Sequence, residues 1–174
     1  GMLEALANGW EARAIAIEPP FWSATGGDAH LALTNGLLLG RPLAAVWTRT
    51  LLGHAQLERE RGRRVFFFAR GPGASLVALA ALVSGHAACE ALVAAHAPSS
   101  WTDLVSPGVN RPGALLPGGG LAGDVADLLC AASPPRVLWS GSLLRARVPP
   151  GIEVREEGVS AEEAAEWLRG VSAR

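Results

Sequence analysis

Short β-favouring apolar runs alternate along the whole chain with longer runs whose apolar positions recur every three or four residues. Such alternation predicts βα units around a mostly parallel sheet. The strand-like runs are ARAIAIE (12–18), RVFFFAR (64–70), EALVAAH (90–96), RVLWSG (136–141) and IEVREE (152–157). The second and third are nearly continuous in apolar residues, as central strands covered on both faces require. Ile152 and Val154 alternate with charged residues, a pattern suited to a sheet edge with one wet face. The expected fold is therefore a three-layer α/β/α domain of about five parallel strands, arranged in space in their sequence order because βαβ crossovers readily join neighbours.

Helices are predicted over 2–8, 42–61, 74–84, 122–132 and 160–171. The longest places Leu43, Val46, Trp47, Thr50, Leu51, His54 and Leu57 on one face at helical spacing, the pattern of a helix packed on a sheet. Ser160 followed by Glu163 forms a capping box and marks the start of the last helix. Gly- and Pro-rich connectors lie between these elements: PPFWSATGGDAH (19–30), PSSWTDLVSPGVNRPGALLPGGG (98–120) and VPPG (148–151). No internal repeat is visible, and the 174 residues are read as one domain, 1–174, with Gly1 an expression scar before Met2.

Composition narrows the function more than it defines it. A net charge of −1 gives no footprint for nucleic acid or an anionic membrane. The nearest basic cluster, Arg59, Arg61, Arg63 and Arg64, is interleaved with Glu58 and Glu60 at a helix-to-strand junction and reads as a solvated turn. Cys89 and Cys130 both lie in apolar runs without metal-ligand spacing, so they read as reduced core residues and no metal or cofactor is expected. The chain has neither a run of about 18 apolar residues nor a basic region leading into an apolar one, and a cytoplasmic location is expected.

The strand, glycine turn and helix of RVFFFARGPGASLVALAALVS (64–84) have the layout of the nucleophile elbow of α/β-hydrolases, in which G-x-S-x-G holds a serine on a sharp turn. In that register Ala69, Arg70, Gly71, Pro72 and Gly73 occupy the five motif positions. LLLGRPLAAVWTRTLLGHAQLERERGRRVFFFARGPG (37–73) is similar to the stretch of acetyl xylan esterase-like hydrolases where a "lGrp" turn opens the helix before the elbow. DVADLLCAASPPRVLWSG (124–141) resembles their "dLLaalaPRPvLlv" segment, EVREEGVSAEEAAEWLRG (153–170) their closing strand and helix, and ARAIAIEPPFW their strand ending in an Asp-Arg-Gly turn, with Glu18 for the aspartate. The resemblance covers nearly all of this chain but only the C-terminal two-thirds or so of such an esterase, which implies a shortened α/β-hydrolase fold.

What the resemblance implies about chemistry is mostly loss. Gly71 stands where the nucleophilic serine should be, Ser140, Gly141 and Ser142 supply no acid, and no histidine follows His96. Acyl transfer needs nucleophile, base, acid and oxyanion donors together. The expected protein is thus a pseudo-hydrolase: a structural or interaction domain without catalytic residues, around a degenerate elbow at Gly71, Pro72 and Gly73.

Two other readings use groups outside the family pattern. An esterase would need Ser75 and His96, with Ser99, Ser100 and Asp103 nearby; a small-ligand module would use the same carboxyl edge of the sheet without a nucleophile. Against these, Ser75 reads as an exposed or capping hydroxyl, and His54, His86 and His96 as structural histidines. Trp22, Trp101 and Trp139, in or near loops on that edge, would stack on a ligand or roof the core. The Gly-Pro-Gly turn could point N–H groups at a phosphate, yet the chain contains no lysine and no full G-x-G-x-x-G. The apolar run ARAIAIE and the neighbouring PPFW predict pairing with a second copy or a larger esterase-like partner.

Overall fold

The computed structural model describes residues 15–17, 27–84, 88–101, 103, 123–132, 136–141, 148 and 150–173. In chain order these form α1 (Gly27–Leu38), α2 (Leu43–Glu60), β1 (Phe66–Arg70), α3 (Pro72–Ser84), β2 (Ala91–Ala95), α4 (Val125–Ala131), β3 (Arg136–Ser140), β4 (Ile152–Arg155) and α5 (Ala161–Ser172). The strands make a parallel sheet in the order β1-β2-β3-β4, registered as Phe67 with Leu92, Leu92 with Val137, and Val137 with Ile152. Every residue of β2 is buried, matching its continuous apolar run, while β4 closes one edge with Glu153 exposed.

Helix placement follows from that order. Successive right-handed crossovers in one direction keep their helices on one face. Accordingly α3 and α4 share a core with Phe67, Ala69, Leu92, Ala94, Val137 and Trp139. The last described helix, α5, lies on the opposite face, where Ala164 and Leu168 pack on Ala91, Val93, Ala95 and Leu138. Capping boxes start both amphipathic ends as polar sequence dictates: Asp124 with Asp127 on α4, and Ser160 with Glu163 on α5.

Several expectations need correction. The described sheet has four strands, not five: residues 15–17 of ARAIAIE lie outside it, the rest of that run and the helix expected over 2–8 fall outside the described residues, and β1 is an edge of the described sheet. On α2 the core-facing residues are Ala44, Trp47, Thr48 and Ala55, with Leu51 and Leu52 beside them, whereas Val46, His54 and Leu57 are exposed. The predicted stripe is too wide on its solvent side, because α2 packs on α3 and needs only a narrow seam. The segment read partly as a connector contains α1, on which Leu31, Leu37 and Leu38 are exposed. Its end is a Schellman cap, with Arg41 N–H donating to Gly36 O (2.7 Å), Gly40 N–H to Leu37 O (3.1 Å) and Gly40 at φ +65°.

The basic cluster is a solvated, ion-paired junction. Glu58 accepts from Arg61 and Arg63, which holds its carboxyl below the usual range. Arg64 grips the Glu90 carboxylate, donates to the carbonyl and hydroxyl of Ser172 (both 2.8 Å) and lies over the Phe66 ring. One side chain thus joins the starts of β1 and β2 to the end of α5. Cys89 is buried, but Cys130 is exposed on α4 rather than in the core. Burial pushes the Cys89 thiol up to about 12, leaving about one thiolate in 10⁴ at pH 8.

Two measurements follow. Leu92→Ala should lose roughly 2–5 kcal/mol in urea unfolding, since it opens a cavity between two packed faces, and Ser160→Ala should lose roughly 0.5–2 kcal/mol through the missing cap. A thiol reagent at pH 8 should label the native protein promptly at Cys130, with labelling of Cys89 appearing only on unfolding; equal rates would contradict the buried position.

Candidate functional site

Because the strands are parallel, their carboxyl ends and the turns after them share one edge, where α/β proteins place ligands. The turn after β1 is tight. Gly71 adopts φ +90°, a conformation that a side chain would strain, donates its N–H to Ala95 O (2.7 Å), and accepts from Ser75 N–H (3.0 Å). Pro72 follows as the first residue of α3, a position that suits its fixed φ and where its missing N–H costs no helix bond.

Ser75 is neither exposed nor capping. It is fully buried, and among the described residues its Oγ has no hydrogen-bond partner. The cause is α3 itself, which is buried almost all round through Leu76, Val77, Ala78, Leu79, Ala81 and Leu82, so a hydroxyl in the first turn has no route to water. An unsatisfied buried hydroxyl is costly and cannot meet a substrate.

The turn after β2 carries His96 at φ +55°, the one non-glycine residue in the left-handed region among those described. Its ring leaves the β2 end and lies over the loop after β4: a Cβ on Gly158 would stand 2.8 Å from His96 Cε1. Asp103 is engaged elsewhere. Its carboxylate accepts from the hydroxyl of Ser99 and from the N–H groups of Ser99 (2.8 Å) and Ser100 (3.1 Å), bonds that hold it below the usual carboxylate range. Among the described residues no hydrogen bond joins His96 to Ser75 or Asp103. His54 is exposed on α2, and His86 lies outside the described residues.

The tryptophans divide. Trp101 ties the β2 turn to the start of α4, with its Nε1–H donating to Gly123 O (2.7 Å) and its backbone N–H to Asp124 Oδ1 (3.1 Å). Trp139 lies in β3, in the run RVLWSG read as a strand, and is wholly buried; among the described residues its Nε1 has no hydrogen-bond partner. Trp22 lies outside the described residues. Beyond β3, Ser140 Oγ donates to Glu157 O (2.8 Å) and Gly141 N–H to Arg155 O (2.9 Å). Gly141 packs so closely that a Cβ would stand 2.4 Å from Ala97 O.

Past β4, Arg155, Glu156, Glu157, Gly158 and Glu163 line a shallow depression beside the His96 ring. Arg155 is held by Glu153 (3.0 Å), which also accepts from Trp167 Nε1–H (2.9 Å). Burial raises the Glu153 carboxyl, but the Trp167 and Arg155 bonds outweigh it and the net shift is downward. Among the described residues no group of three His, Cys, Asp or Glu is placed to hold a metal ion, and no helix is long and apolar enough to cross a membrane. Sequence reasoning singled out His96 but not Gly158, on which it rests; a glycine directly after paired glutamates at a strand end was the available signal.

No family model, curated protein or solved structure matches this chain.

The two close approaches differ in what can yield. Gly141→Ala meets backbone and should cost more than about 1 kcal/mol in chemical denaturation. Gly158→Ala meets only the tip of a side chain, so its smaller cost should vanish in a His96→Ala background; an unchanged cost there would show that His96 does not occupy that position.

Proposed function

We propose that this chain is a non-catalytic α/β-hydrolase-like domain, a pseudo-hydrolase whose role is structural or that of an interaction module. The observation that carries the reading is the turn between β1 and α3. Where an elbow would present a nucleophile there is Gly71 at φ +90°, and the residue after it, whose N–H would be the first oxyanion donor, is Pro72, which has none. The surrounding order supports it: a helix, the elbow strand and its helix, then further parallel strands, with α2, α3 and α4 on one face and the closing helix α5 on the other. Its partners in this reading are a second copy or a larger esterase-like protein, and the open edge of β1 is where further strands of a hydrolase sheet would add.

The esterase alternative is disfavoured by the burial of Ser75 and by His96 resting on Gly158. A small-ligand module at the same edge has one observation in its favour: among the described residues the buried Trp139 Nε1–H has no acceptor, and such a group calls for a partner. A thermal-shift screen of small acceptor-bearing molecules tests that second reading directly.

The main reading predicts no turnover of p-nitrophenyl acetate or acetylated sugars above buffer, and no rescue by Gly71→Ser. A restored serine has no histidine at the family position after the last strand, and losing any triad member leaves only about 10³–10⁴-fold over water even where the oxyanion hole is intact. Turnover by the wild type that Ser75→Ala or His96→Ala abolishes would overturn the proposal in favour of the esterase.

A further inference from the structure

We draw no further inference here: the strongest candidate, the buried Trp139 Nε1–H beside Gly141 at the carboxyl end of β3, belongs to the site already described and carries only the small-ligand reading already stated.

Discussion

The burial of β2 on both faces is the constraint from which the rest of the molecule follows. All five residues, Ala91 to Ala95, are out of water, so helices must cover both sides, and a strand with no polar position cannot lie at an edge. Leu92 and Ala94 belong to one core, with α3 and α4; Ala91, Val93 and Ala95 belong to the other, with α5. Three of the five are alanine. Small side chains let the helices approach closely, and the bulk that fills each core is supplied by neighbours: Phe67 and Trp139 on one side, Phe66, Phe68 and Leu138 on the other.

The same strand organises the carboxyl edge. Beyond the regular ladder, Gly71 N–H reaches Ala95 O, Ala97 N–H reaches Ser140 O, and Gly141 N–H reaches Arg155 O, all within 2.9 Å. Each turn is thereby sewn to the end of the next strand. Backbone donors that could face a ligand are spent on the sheet instead, and the side chains left at the rim, His96 over Gly158 and the carboxylates around Arg155, lie toward β4 rather than over the β1 turn. The edge is a built structure, yet its polar groups converge on one another more than on a shared point.

Legibility tracked the source of each element's stability. Four of the five expected strands, and α2 to α5, were readable because tertiary burial and local sequence agree there: continuous apolar runs for β1 and β2, Ser160 with Glu163 for the start of α5. Reading failed at α1, whose sequence GDAHLALTNGLL runs on from a Gly- and Pro-rich connector, and whose clearest mark, Gly40 at φ +65°, is a cap signal that resembles any loop glycine. Site residues were harder for a related reason. That Ser75 is buried depends on how completely α3 is enclosed, and that His96 crosses to Gly158 depends on a left-handed backbone at one residue. Neither is encoded in spacing along the chain; both are set by packing between distant segments.

The elbow-like turn is where folding and chemistry would make opposite demands. A nucleophile at such a turn must hold a side chain on a left-handed backbone, and non-glycine residues in that region cost of order 1–3 kcal/mol that the surrounding structure must absorb. Gly71 removes that strain, Pro72 fixes the φ with which α3 begins, and the close pairing of the Gly71 N–H with Ala95 binds the turn into the sheet. Each of these choices makes the strand-to-helix junction cheaper to form, and the first two each remove a group that acyl transfer needs. A chain under selection for catalysis resists such changes; one kept for its shape and its surface has no reason to. That asymmetry, at two consecutive positions, favours the non-catalytic reading more than the loss of either residue alone could.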